Sequence, residues 1–248
     1  WTKLANSTSP IRGGVSTQAA LNNLRNGLKP PQSGKQNPHY FDDGAMSRAV
    51  PIGIILAGQP ELAARLAEID ASITNSEDGV WAAQAMAVAV CLVCSGENIN
   101  DAINGAYQYL PEFSWIRRTV DEAMKIIGNI DSIFSILPEI QNNIINREYS
   151  YGNVAPETLA LTFIIAKVHV NNFETAVSTA TCFAKSGETL PAMVGALAGA
   201  MQSQPFASDN WLSVVETLKG ICIPGFADKK YLKLVEEFSN QSGQKKSL

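Results

Sequence analysis

The chain is 248 residues long, 46% apolar and 17% charged, which is enough apolar sequence for one large core and too little charge for a disordered segment, so a single folded domain over 1–248 is expected. Its formal net charge is −4, with Lys and Arg scattered among acids; no basic stripe is available for a phosphate backbone, and nucleic acid is not expected as a partner. No apolar run reaches the roughly 18–20 residues that span a bilayer, and Trp1-Thr2-Lys3-Leu4 does not open like a signal peptide, so no membrane partner and a cytoplasmic location are expected.

Helical periodicity dominates and no stretch alternates apolar with polar residues as a half-buried strand would, so the fold class is all-α. Ser16-Thr17 opens a first pattern with Leu21 and Leu24 on one face, and Gly27 stops it. Residues 28–43 carry Pro30, Pro31, Pro38 and Gly34 without an apolar period, which predicts a loop that is ordered where it lines something. Helical patterns follow over 44–57, 60–71, 79–94, 99–109, 113–127 and 130–145, the last containing Pro138, and then over 156–169, 173–184, 189–203, 209–218 and 229–238. Pro60-Glu61, Pro111-Glu112 and Pro156-Glu157 place a proline and an acid at helix starts, where the dipole favours them. Residues 240–248 are expected to fray. Cys91 and Cys94 form a C-x-x-C inside an apolar helix with no second cysteine pair or histidine at zinc spacing, which reads as core packing.

Three segments combine small, polar and acidic residues beyond what packing asks. In the first, Asp42-Asp43-Gly44 opens an apolar helix, and the backbone N–H groups of Gly44 and Ala45 could approach a polar or anionic ligand; the plainer reading is an aspartate N-cap. In the second, a polar run from Ser72 through Asn75 to Asp78 precedes the most apolar helix, with Ser76 or Asp78 as its cap. In the third, Ser186, Gly187, Glu188 and Thr189 start a helix whose Gly195 and Gly199 share one face for close helix approach.

Together and in this order, DDGAMSRAVPIG, S-I-T-N and KSGETLPAMVGALAGA resemble the ADP-ribosylglycohydrolase family, which includes dinitrogenase-reductase-activating enzymes and jellyfish crystallins. The family's corresponding motifs are GNGAAMR-A-P-(L/I)-G, S-x-T-H and GGDTDT followed by IAAIAGAIAGA. The resemblance implies a multi-helix orthogonal bundle, with Mg²⁺ or Mn²⁺ held by an upstream D-D-T motif and by the D-x-D-T loop. It places Ser186 at the first aspartate of that loop, Gly187 at the intervening threonine, Glu188 at the second aspartate and Thr189 at the last threonine. Glu188 and Thr189 are therefore the metal candidates. Asp42, Asp43, Gly44, Ser72, Asn75, Ser186 and Gly187 are the ligand-binding candidates.

Several departures lower the expected metal affinity to weak or absent. Ser186 removes a carboxylate, and the D-D-T motif with the family's opening helix would precede Trp1. Asn75 stands where the family has a histidine facing the ligand's phosphates, and Asp42 and Asp43 replace Gly-Asn, adding negative charge where a diphosphate would pass. His39, in the long loop, could face the pocket; His169 ends a helix and is expected to meet its free carbonyls. The resulting expectation is a family-fold protein with a diverged, metal-poor pocket for a small, ADP-ribose-like ligand or a different substrate. The alternatives are a metal-dependent hydrolase whose upstream motif is missing and a structural, crystallin-like protein.

Overall fold

A computed structural model of the chain describes residues 1–7, 11–128, 130–149, 153–202 and 207–243. The helices are α1 (Thr2–Ala5), α2 (Val15–Arg25), α3 (Gln32–Lys35), α4 (Gly44–Ile55), α5 (Pro60–Ala71), α6 (Asp78–Cys94), α7 (Ile99–Tyr107), α8 (Trp115–Ile126), α9 (Leu137–Asn143), α10 (Ala155–Val168), α11 (Phe173–Thr181), α12 (Thr189–Ala200), α13 (Asp209–Val215) and α14 (Tyr231–Gly243). Single 3-10 turns occupy Ile133–Ile136, Ala184–Ser186 and Pro224–Phe226. Among the described residues there is no strand, only an isolated antiparallel bridge between Thr217 and Lys230. The all-α expectation holds.

Two helices are apolar on every side and form the centre. Nearly all of α6 is buried, as is α10 from Ala155 to Ala166, and a helix without a polar face has nowhere to sit but the core. α4, α5 and α7 pack on α6, and α8 and α12 on α10; α11 lies on α12. The α5–α6 contact is built from small side chains: Ala63, Ala64, Ala67 and Ala71 of α5 are all buried. α4 comes closer still. A Cβ at Gly53 would lie 2.5 Å from the Ala87 carbonyl oxygen of α6, so only glycine permits this approach. Gly195 serves the α11–α12 contact, facing Val177 and Phe173.

The expected elements shift in informative places. α1 and α3 fall where polar sequence and a loop are read. The pattern over 130–145 divides into a 3-10 turn and α9, because Pro138 lacks an N–H and belongs in a helix's first turn. Pro111-Glu112 does not open α8; Ser114 does, its hydroxyl accepting from the Arg117 N–H at 3.2 Å. Asp78 does not cap its own helix. Its Oδ1 accepts from the Ile116 N–H at 2.9 Å and so caps α8 instead, while Glu77 precedes α6 at φ 48°. α14 runs through Gly243, so the start of the segment expected to fray is helical, and 244–248 lie outside the described residues, as does Ser203 at the end of the pattern over 189–203.

Cys91 is buried and points its thiol at the Leu56 carbonyl, and Cys94 is half-buried, in keeping with packing. Cys182 and Cys222, by contrast, are exposed. The described residues from 207 onward include no buried side chain, although Leu232, Val214 and Ile221 are apolar and more than half exposed. This segment is tied to the body by the Ser208 N–H on Glu174 at 2.8 Å, by Trp211 against Phe173, and by the Arg12 N–H on the Cys222 carbonyl. Among the described residues no helix is long and apolar enough to cross a membrane.

Candidate functional site

The loop leading into α4 lies on the turn between α5 and α6 and is fixed there by buried polar side chains. Asn37 donates to the Thr74 carbonyl at 2.8 Å and accepts from the His39 N–H, and Ser33 donates to the Ile73 carbonyl. The Tyr40 carbonyl accepts from the Ser76 N–H at 3.1 Å, and a Cβ at Gly79 would come within 2.4 Å of it, so the loop needs glycine at the start of α6. The next residue is held from the other side, since the Phe41 carbonyl accepts from the Ala155 N–H of α10 at 2.9 Å. The Phe41 ring lies among Tyr40, Trp115 and Tyr149, with centroids 4.9–5.9 Å away, and His39 bonds to the Tyr149 hydroxyl.

Asp42 is the hub of this arrangement. Its Oδ1 accepts from the Ser16 hydroxyl at 2.8 Å, the Gly44 N–H at 3.0 Å and the Asn75 amide at 2.8 Å, while Oδ2 accepts from the Ser16 N–H at 3.3 Å. The Gly44 N–H that a ligand anion would meet is therefore already engaged, and the acceptor that caps α4 comes from Asp42 rather than Asp43. Asn75 is buried: its amide also donates to the Tyr40 and Asp42 carbonyls, and its Oδ1 accepts from the Thr74 hydroxyl.

Asp43 points inward and is 5% exposed. Its Oδ2 accepts from the Thr158 hydroxyl of α10 at 2.7 Å. Burial pushes its carboxyl up to about 6, and Asp42 adds to the rise, while hydrogen bonds from Thr158, Thr189 and Asn153 oppose it. The Asn153 amide lies 3.4 Å from the Thr189 hydroxyl, so this cluster ties α4, α10 and α12 together.

The third segment divides. Thr189 joins the Asp43 cluster, whereas Gly187 and Glu188 are exposed, and Glu188 makes no hydrogen bond or ion pair to a described residue. Ser186 is fully buried, and among the described residues its hydroxyl is the one buried side-chain polar atom without a partner. Ser72 is half-buried and returns its hydroxyl to the Glu68 carbonyl of α5 at 2.6 Å. Hydrogen bonds thus bring together Asp42, Asp43, Gly44, Asn75 and Thr189, and none links Ser72, Ser186, Gly187 or Glu188 to them. His169 lies with its ring 3.5 Å from the Thr179 hydroxyl, and burial lowers its basicity.

Sequence reasoning took Ser16 only as a helix start and passed over Arg48, Asn153 and Thr158. Arg48 bonds to Asp70 at 2.7 Å, to the Thr74 hydroxyl at 2.8 Å and to the Gly44 carbonyl, and it stacks over Trp1. Thr158 carried a readable signal, because a hydroxyl within an otherwise apolar helix has to find a partner.

A hard divalent cation requires several free oxygens, preferably charged. Asp42 accepts three hydrogen bonds from the protein on Oδ1 and one on Oδ2, Asp43 gains its charge only as pH rises past about 6, and Ser186 brings no charge. Among the described residues no group of three or more His, Cys, Asp or Glu side chains is placed to hold a metal ion. Among the described residues the donors gathered here do not by themselves complete a site for Mg²⁺ or Mn²⁺. No curated protein is significantly similar to the chain. The sequence model of the ADP-ribosylglycohydrolase family, however, matches residues 1–243, so the chain belongs to that family.

Proposed function

We propose that this family member binds a small polar ligand in a metal-poor pocket around Asp42, Asp43 and Gly44, and that it does not carry out metal-assisted release of ADP-ribose. The observation behind this reading is that Asp42 Oδ1 is engaged by Ser16, Gly44 and Asn75, so that the carboxylate holds three segments of the chain together. Asp42 adds negative charge where a diphosphate would pass, which favours a ribosyl or polyol ligand without that diphosphate. Asn75 holds the turn between α5 and α6 against Asp42, and Thr189 reaches Asp43 from the start of α12. Residual metal affinity through Glu188 and Thr189 is expected to be weak.

Calorimetry with adenosine and with ADP-ribose, each with and without Mg²⁺ or Mn²⁺, tests the binding. Adenosine is expected to bind at least as tightly as ADP-ribose, with no gain from metal. A hydrolysis assay on ADP-ribosylated peptide tests the chemistry. Metal-dependent turnover, or micromolar metal binding, would reject the proposal in favour of a working metal-dependent hydrolase.

A further inference from the structure

A cavity of about 350 Å³ lies beside the Ala184–Ser186 turn, and Leu137, Ile145 and Phe183 form apolar walls there. Its polar end is an ion pair. Glu157, 1% exposed, accepts through Oε2 from the Asn146 N–H at 3.0 Å and from Lys185 Nζ at 2.9 Å. Lys185 also donates to the Asn146 carbonyl at 3.0 Å.

Hydrogen-bonding capacity is left over on both members. Lys185 has three N–H donors and uses two on described residues; Glu157 Oε1 accepts from no described residue. Both side chains line the cavity. The pair is neutral in sum, so the leftover groups amount to one donor and one acceptor side by side at the end of an apolar pocket. A carboxylate placed there would face Glu157, and an ammonium would face Lys185. A group that accepts from one and donates to the other satisfies both without adding charge.

We infer that this cavity is a binding site for a small primary carboxamide with an aromatic or short aliphatic body. The amide oxygen accepts from Lys185 and the amide NH₂ donates to Glu157 Oε1, while Leu137, Ile145 and Phe183 cover the body. Small-molecule sites have this make-up of apolar walls and a few convergent polar groups, and the volume falls in their usual range. The inference does not rest on the Asp42 pocket, and either can fail without the other.

Cys182 supplies a built-in reporter, because it is exposed and lines the same cavity, and the exposed Cys222 gives an internal reference. The unmodified protein is alkylated with a thiol reagent in the presence of benzamide, benzoate or benzylamine, and the two cysteines are followed by mass spectrometry. Benzamide is expected to slow labelling of Cys182 by about threefold at twice its Kd, with Cys222 unchanged and with benzoate and benzylamine much weaker. Ile145→Trp should fill the cavity and abolish the protection while leaving Cys182 reactive. Lys185→Met should transfer the preference to benzylamine. Absence of saturable protection by benzamide, equal protection by all three probes, or protection that survives Ile145→Trp would overturn the assignment.

Discussion

Asp43 carries the strongest electrostatic tension in the site. Its folded-state value of about 6 lies above the ordinary 3.8, so the folded protein holds this proton more tightly than the unfolded chain does. Native stability therefore falls as pH rises from about 4 through 6, and the ionised, buried carboxylate costs on the order of 3 kcal/mol above that window. Asp43→Asn keeps an acceptor for Thr158 and removes the charge. It is expected to raise the unfolding free energy at pH 8 by up to that amount and to change little at pH 4; chemical denaturation at both values checks this. Glu77 is a second local cost, since φ 48° with ψ −122° is backbone that glycine occupies freely and other residues do not. Glu77→Gly should stabilise the protein by about 1 kcal/mol, seen as a higher denaturation midpoint with an unchanged slope. Such tensions could not be read from the sequence. Asp43 was legible as a site candidate by its place before Gly44, but its direction, inward onto Thr158, depends on a helix more than a hundred residues away.

Among the elements, apolar pattern and proline placement located α5 to the residue and α6, α10 and α12 to within a few residues, because those helices are long and their partners do not alter their limits. Reading failed where a cap was donated across the fold. The polar run before α6 suggests that Asp78 caps α6, whereas it serves α8, and no local rule connects positions 78 and 116. Asp78→Ala should therefore destabilise the protein by about 1–2 kcal/mol by freeing the N-terminus of α8, while Asp78→Asn, which keeps the acceptor, should cost less. Exchange protection lost at residues 116–118 rather than at the start of α6 would identify the helix affected. Loss confined to α6 would show the cap to be misassigned.

Over the whole molecule, packing is uneven. α6 and α10 are surrounded on all sides, while α13 and α14 bury none of their described side chains. Local opening free energy follows buried apolar contact, so amide exchange should divide the chain in two. Amides of α6 and α10 are expected to exchange at the rate of global unfolding, and those of α13 and α14 at least a hundredfold faster. Equal protection along the chain would mean that the segment from 207 onward is covered in solution. Family membership was legible because three motifs recur in order, and motif order survives substitution at single positions. The use made of each substituted residue was not, since Asp42 reads as added charge and proves to be a junction.

That junction restricts what position 42 can become. Glycine at position 42, which the resemblance to the family motif would put there, would leave the Ser16 hydroxyl and the Gly44 N–H without this acceptor, Ser16 being 1% exposed, at roughly 1–3 kcal/mol for each group that stays buried. Exchange at position 42 is therefore tolerable only together with a change at position 16, so the two positions behave as one unit of substitution.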